Sequence, residues 1–589
     1  MRSRPSGGFG AVLPALAFVA SAAASSGGPA QVGAWSGPIG PWPLTAVHGA
    51  LLETGKVLHY GYTAIGGPPA AYMFDPDQPL AGTLVPPPAN HFCGGGTFLF
   101  DGTFLAIGGS TTTTAGGTYG IAATSRFDPL LGIWIPEPAL QIARWYPTAT
   151  ALPDGRILAA SGLNQFGIHT LQLERLTPGA GWEIFVGANQ FLHNYPFFHL
   201  ASNGKIFHSG PEPYLHWFDP ETGSWTFAGY QLDGPRHDGC SVLLPPLDDR
   251  VLVLGGGDDY QLAKASAEIW IFQGSGAAGH LVPPMASPRA NANAVLLPTQ
   301  KVLVLGGALQ VTTNGCAAPG TPVLATELFD PVAETWTPLA PMTVPREYHS
   351  QAVLLPDARV LVSGTDCQWT AEIFSPPYLF QGPRPVLSAA PAALEYGKSF
   401  AFGVLSTEPI GAVVLMAPAA ATHAFDQNQR CVPLPFQAPS SGALLATVPA
   451  NPALLPPGPY MLFAVDGSGV PSVAAFVRVK AEPVVTSVAP AATPVLGGGP
   501  LTIQGANFTN ATAVSVAGQA LAPPDFAVTS PSEIEVFVPP IATALGPQAV
   551  TVTTPLGTSA PGTVEYVAND PPVLQAPATV SSPGTFDAS

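Results

Sequence analysis

The stretch Tyr146-Pro-Thr-Ala-Thr-Ala-Leu-Pro-Asp-Gly-Arg-Ile-Leu-Ala-Ala-Ser-Gly162 decides the fold. An apolar segment meets Pro-Asp-Gly, turn chemistry in which Asp-Gly supplies positive φ, and a second apolar segment ends in glycine. The pattern recurs at Val47–Gly61, Phe92–Gly109, Tyr195–Gly210, Cys240–Gly256, Ala292–Gly307 and His349–Gly364. Flanks such as Val251-Leu-Val-Leu and Val302-Leu-Val-Leu read as strands. A second element follows most repeats: Phe74-Asp-Pro, then Phe127-Asp-Pro with Trp134, Phe218-Asp-Pro with Trp225 and Phe329-Asp-Pro with Trp336. Each reads as a strand, a turn and another strand.

Two hairpins per unit make a four-stranded blade, and a spacing of roughly 50 residues suits kelch repeats. The expected fold is all-β: a seven-bladed kelch-type β-propeller over residues 40–380, closed so that no sheet edge is free. The glycine-ended strand is expected innermost, where backbones crowd. Residues 385–480 break into short strands split by Pro and Gly and suggest an immunoglobulin-like β-sandwich. Residues 482–568 read as a second immunoglobulin-like sandwich, and 569–589, rich in Pro, Ser, Ala and Thr, as a disordered tail.

Composition agrees. The 589 residues are 47% hydrophobic and only 10% charged, with 64 Gly and 69 Pro, a turn-dense profile poor in surface helix. A net charge of -17 argues against nucleic acid or an anionic membrane as partner. Residues 1–24 carry Arg2 and Arg4, an apolar run from Ala11 to Ala20 and the small residues Ala22-Ala23-Ala24, which reads as a secretory signal peptide and a secreted, extracellular protein. Five cysteines are an odd number for an oxidising compartment. Cys316 and Cys367 both follow the ends of neighbouring repeat strands and are the favoured disulfide.

Chemistry concentrates at the starts of the repeats. Cys93, Tyr146 and the adjacent pair Tyr348 and His349 sit at equivalent places, and propeller symmetry makes them converge at one end of the axis. His423 lies in the following sandwich, on a loop expected to reach the propeller. Two imidazoles and two phenols are N/O ligands that suit Cu(II), one ion per chain. Singly, each tyrosine reads as core or rim, His423 as a satisfied loop residue and Cys93 as a small buried residue or half a disulfide. A non-catalytic kelch propeller binding glycan or protein is the rival function, and a copper protein without a radical is a third.

At these residues the chain resembles the copper-radical oxidases, the galactose oxidase and glyoxal oxidase group, over about residues 40–480. The resemblance rests on Arg144-Trp-Tyr-Pro-Thr-Ala-Thr-Ala-Leu-Pro-Asp-Gly-Arg156, Tyr195-Pro-Phe-Phe198, Tyr348-His-Ser350, Phe374-Ser-Pro-Pro-Tyr-Leu-Phe380, Thr422-His423 and Gly467–Ala474. Tyr195-Pro-Phe-Phe and Ser375-Pro-Pro-Tyr lean toward the glyoxal oxidase branch. The resemblance implies a thioether between Cys93 and Tyr146 that holds a protein radical beside the copper. It also implies that Tyr348 is the axial base and that His349 and His423 are the remaining ligands. Primary alcohols or hydrated aldehydes would be oxidised with O2, giving H2O2, and small glyoxal-type aldehydes lead the candidate substrates. With one cysteine used by the thioether, four remain to pair.

Two departures accompany the resemblance. Asn164 stands where galactose oxidase has a tryptophan over the radical tyrosine, leaving Phe166 as a candidate cover. The first blade begins near Ala46, where galactose oxidase has an N-terminal carbohydrate-binding sandwich before its propeller. This chain instead carries an IPT/TIG-like C-terminal sandwich, either a spacer or a glycan-binding module. Tyr195, His237 and Asp238 occupy blade starts, where they line the pocket or serve structure.

Overall fold

The computed structural model describes residues 27–568 apart from 64–67, 113–117, 179, 246–248, 259–261, 275, 312–319, 441, 481, 498, 509–510, 531, 539, 541–544 and 555. The expected signal peptide, the tail 569–589 and Cys316 lie outside the described residues. Among the described residues strands dominate, joined by one helical turn, Pro29–Val32, and one 3-10 turn, Pro377–Phe380.

Antiparallel sheets follow one another from Thr45 to Ser375. The first starts with Thr45–Leu51 and the later ones with Gly95–Phe98, Thr148–Ala151, Phe198–Leu200, His237–Leu244, Ala290–Leu296 and Ser350–Leu354. These starting strands pack on one another between sheets, Thr45–Leu51 against Ser350–Leu354 among them. The segment before the first sheet joins the last one: Ala34–Trp35 pairs with Ala371–Ser375 as its outer strand.

The expected second hairpins form as read. Phe127 opposes Trp134, Phe218 opposes Trp225 and Phe329 opposes Trp336 across each outer strand pair. Their rings lie 4.8 to 5.2 Å apart, cross-strand aromatic contacts that fix register. Asp128, Asp219 and Asp330 accept backbone N–H bonds two residues on, which is why Phe-Asp-Pro turns the chain.

The glycine-ended strand is second from the axis, not innermost. Its glycine has another purpose: a Cβ on Gly108, Gly255, Gly306 or Gly364 would fall 2.3 to 2.7 Å from a carbonyl oxygen of the next sheet (Arg144, Arg289, Arg346 and Ala46). The same carbonyl region is gripped from within its own sheet. Arg144 Nη1 donates to Ser161 O at 2.8 Å, Arg236 to Gly255 O at 3.2 Å, Arg289 to Gly306 O at 3.2 Å and Arg346 to Gly364 O at 2.8 Å. His91 makes the corresponding bond to Gly108 O at 2.8 Å. Each of these arginines is fully buried. Three meet a glutamate on the third strand: Arg144 with Glu174 at 2.8 Å, Arg289 with Glu327 at 2.6 Å and Arg236 with Glu268 at 3.6 Å.

Past the ring, two sandwiches follow. Leu394, Phe402, Leu415, Leu444, Leu462 and Val477 fill the first. Leu501, Ile503, Val514, Ile534, Val552 and Tyr566 fill the second. Arg478 of the first sandwich pairs with Glu53 of the ring, and Leu556 of the second lies against the Gly155 turn. Cys367 is disulfide-bonded. Cys240 and Cys431, counted among the four cysteines left to pair, are both reduced and buried. Each fills core space as a small apolar group, and burial pushes the Cys240 thiol up to about 12. Among the described residues no helix is long and apolar enough to cross a membrane.

Two outcomes follow from this packing. Glu327→Ala strands the buried Arg289 charge and should cost about 3–5 kcal/mol in urea unfolding, whereas the double replacement Arg289→Met with Glu327→Leu should cost much less. Burial pushes His59 and His199 down to about 3 and His91 to about 4. Between the ordinary histidine value of 6.5 and these, the unfolded chain binds protons that the folded chain does not, so stability falls as pH falls. Asp426, pushed up to about 6 by burial, opposes them, as do Glu268 and Glu347, which burial also raises, but the lowered histidines, His48, His169, His216 and His423 among them, outnumber these three. The urea midpoint should therefore be lower at about pH 5 than at about pH 7.

Candidate metal centre

The inner strands start on a repeated backbone irregularity. Cys93, Tyr146, Tyr195, Asp238, Asn291 and His349 have φ between 48° and 69°, the left-handed region that non-glycine residues seldom occupy. Each stands at the same place in successive sheets. Arg144, Arg236 and Arg289 precede it by two residues, as do His91 and His193. The last sheet inserts one more residue, so Arg346 is followed by Glu347, Tyr348 and then His349. A left-handed residue breaks the two-residue alternation of a strand. Neighbouring side chains then share one cavity, which is how Tyr348 and His349 both face the axis, their rings 4.0 Å apart.

The first sheet lacks this residue and has a register shift between Ala46 and His48 instead. Its place is taken by a hairpin from the first sandwich. Ala420–Thr422 and Phe425–Asp426 add to the inner edge of Thr45–Leu51, with His48 opposite Thr422. His423, with φ 47°, is the turn between them. Gln427 Oε1 anchors the hairpin by accepting Gly96 N at 3.0 Å and Ala149 N at 2.9 Å from two further sheets.

These devices bring the five expected residues together. His349 Nε2 lies 3.6 Å and His423 Nε2 3.4 Å from Cys93 Sγ. Tyr146 and Tyr348 meet hydroxyl to hydroxyl at 2.8 Å. His423 is 5.4 Å, ring to ring, from Tyr146 and 5.2 Å from Tyr348. Thr422 Oγ1 donates to Val47 O at 3.0 Å and so accepts the Nδ1 proton of His423 at 2.6 Å, leaving Nε2 as the free donor atom. Burial, followed by the His349 charge, holds His423 well below its ordinary value, so it is neutral and fit to bind a metal.

Cys93 is fully buried and its thiol is pushed well above the ordinary value by desolvation, although Tyr146 and Trp145 stabilise its thiolate in part. A cysteine beside two histidines is also a thiolate metal site on paper, and Cys93, His349 and His423 form such a group. Against that, the sulfur shares an apolar pocket with Val47, Tyr62, Trp145 and Tyr146 and is held protonated. Burial likewise raises both phenols, Tyr146 and Tyr348, in the protein alone. Two imidazoles and two phenols that can lose protons to a cation fit Cu(II).

Of the neighbours, Tyr195 packs 5.3 Å from the Tyr146 ring and 4.8 Å from His423, and its hydroxyl donates to Gly94 O at 2.9 Å, buttressing the turn after Cys93. Asp238 acts electrostatically on Tyr348, and His237 packs at a tilt against His193, ring centroids 4.3 Å apart. Phe166 is 69% exposed and covers nothing; Asn164 instead ties its own loop by accepting Phe166 N and Ile168 N. The ring over Tyr146 is Trp145, with centroids 4.4 Å apart. Sequence reading passed over Trp145, although its place directly before Tyr146 was the available signal.

A ring of sheets with a Cys–Tyr pair, a second tyrosine and two histidines at its axis defines the class of copper-radical oxidases. The Glyoxal oxidase N-terminus family matches residues 87–376, the galactose oxidase-like early set domain 384–479 and the IPT/TIG domain 483–566. The aldehyde oxidase GLOX of Vitis pseudoreticulata is 29% identical over 66% of this chain and 81% of its own length. Galactose oxidase of Gibberella zeae is 26% identical over 76% of this chain and 71% of its own. A solved fungal alcohol oxidase of the AA5 family, in complex with copper, superposes with a TM-score of 0.69 at 27% identity, over 76% of this chain and all of that one. The chain belongs to this family, the glyoxal oxidase and galactose oxidase group of copper-radical oxidases.

Proposed function

We propose that the protein is a secreted copper-radical oxidase that converts primary alcohols or hydrated aldehydes, glyoxal-type aldehydes foremost, to the carbonyl product with reduction of O2 to H2O2. Its sheets are read as a seven-bladed kelch-type propeller over 40–380, followed by sandwiches at 385–480 and 482–568, the last a spacer or a glycan-binding module. The single observation that carries the activity is the meeting of Cys93, Tyr146, Tyr348, His349 and His423 at the axis.

Tyr146, Tyr348, His349 and His423 would hold the metal. Bound copper supplies a Lewis-acid position for the substrate oxygen and a one-electron acceptor. Tyr348, as phenolate, takes the hydroxyl proton of the substrate. Tyr146, joined through its ring to Cys93 Sγ, takes the hydrogen atom from the carbinol carbon. Their contact at 2.8 Å lets charge on one phenol be felt by the other. Trp145 and Tyr195 pack on the Tyr146 ring and keep water from it. The balance is RCH2OH + O2 → RCHO + H2O2. Forming the thioether itself removes one hydrogen from Cys93 Sγ and one from the Tyr146 ring, and O2 accepts both.

Copper-loaded, aerated protein should yield Cys93 and Tyr146 peptides joined, two hydrogens lighter and resistant to reductant by mass spectrometry. Separate peptides after full loading would sink the radical enzyme and favour a propeller that only binds. Cys93→Ser should keep fold and copper and lose turnover by at least about 100-fold, since covalent and acid–base devices of this kind contribute on that order; retained peroxide release would refute the mechanism. Trp145→Ala should leave the cross-link intact and shorten the lifetime of the Tyr146 radical, followed by its optical decay after oxidation.

A further inference from the structure

One buried carboxylate faces the centre without a part in the chemistry above. Asp366 is 6% exposed, and its Oδ1 accepts from His349 Nδ1 and from Tyr62 Oη, each at 2.5 Å. His349 thereby turns its other nitrogen, Nε2, toward Cys93 Sγ and the cavity centre. Resting on the copper reading, we propose that Asp366 is a positioning residue for the metal. It fixes His349 in the Nδ1–H tautomer and the ring orientation that present Nε2 to copper, and its charge makes that imidazole the stronger donor of the two.

The backbone around Asp366 is built to hold it still. Thr365 and Cys367 on either side have φ of 79° and 60°, both left-handed. Such strain persists only where the surroundings over-determine it. Thr365 N donates to His349 O at 3.1 Å, Thr365 Oγ1 accepts Glu347 N at 2.7 Å, and Cys367 is locked in a disulfide. Carboxylate and imidazole thus ride on one piece of backbone. Burial and the Asp366 charge keep the Tyr62 phenol far above its ordinary value, so it stays a proton donor and clamps the carboxylate from the far side.

The two histidines are consequently unequal. His423 leans on a neutral hydroxyl, Thr422 Oγ1, whereas His349 leans on an anion. A carboxylate behind a ligating imidazole raises its basicity, and removing such a partner typically weakens metal affinity by about 10–100-fold.

The test titrates Cu(II) alone into metal-free full-length protein against a competing chelator, with the Cu(II) paramagnetic-resonance spectrum recorded beside it. Asp366→Ala should bind about 10–100-fold more weakly with a changed copper hyperfine splitting. Asp366→Asn, which keeps an acceptor but not the charge, should recover part of the affinity, and Tyr62→Phe should show the smallest loss. Were Asp366 merely structural, melting of the metal-free variants would drop while affinity and spectrum stayed at parent values, and that overturns the proposal. Should Asp366→Ala not fold, parent-like affinity and spectrum in both Asp366→Asn and Tyr62→Phe overturn it equally. A parent protein that takes up no Cu(II) refutes the copper site itself, a result distinct from parent-like binding by the variants.

Discussion

The structure depends on one backbone constraint, the left-handed residue that opens every inner strand except the first. A non-glycine residue there costs on the order of 1–3 kcal/mol, and six of them recur from Cys93 to His349. They are kept in place from two sides. Tyr146 N bonds to Cys93 O at 2.8 Å and Tyr195 N to Tyr146 O at 3.0 Å, so the irregular residues hold one another across sheets. Behind them, buried arginines or a histidine grip the glycine-rich ends of the second strands. The glycines lack a Cβ because the next sheet's carbonyl lies where one would be. Ring closure, buried ion pairs and site geometry are therefore parts of one repeated unit.

That unit explains how a symmetric scaffold carries an asymmetric centre. Equivalent positions hold Cys93, Tyr146, Tyr195, Asp238, Asn291 and His349, and only some of these meet the metal chemistry. Three local breaks in the repeat do the rest. An extra residue after Arg346 admits both Tyr348 and His349. The first sheet gives up its own left-handed residue to a register shift, and the hairpin that delivers His423 fills the gap. Gln427 then ties that hairpin to two other sheets, so a ligand from a separate sandwich is held as firmly as those from the ring.

Much of this was legible in the residues. The repeated turn and glycine signal located the sheets, and the aromatic pairs at Phe127, Phe218 and Phe329 located the outer hairpins. Cys93, Tyr146, Tyr348 and His349 stood out because reactive types fell at equivalent repeat positions, and His423 because it lies on a sandwich loop expected to reach the propeller. Three readings failed for identifiable reasons. The glycine-ended strand was placed innermost because crowding was assigned to the axis rather than to the junction between sheets. Phe166 was offered as a ring cover because it lies two residues after Asn164, whereas its side chain points to solvent and Trp145 packs on Tyr146. Cys240 and Cys431 were counted among the four cysteines left to pair, yet both are free thiols buried in the core, where each is simply a small apolar group.

By itself the sequence determined the periodicity: which segments are strands, where they turn, and which chemical groups sit at each strand start, because turn and pleat preferences act over a few residues. Only the tertiary structure decided which groups meet. Asp366 behind His349, Trp145 over Tyr146, and His423 beside Cys93 at 3.4 Å across an interval of 330 residues arise from ring closure and from strained backbone that packing alone sustains. Contacts of that kind depend on orientations set by distant carbonyls and arginines, and no local preference encodes them.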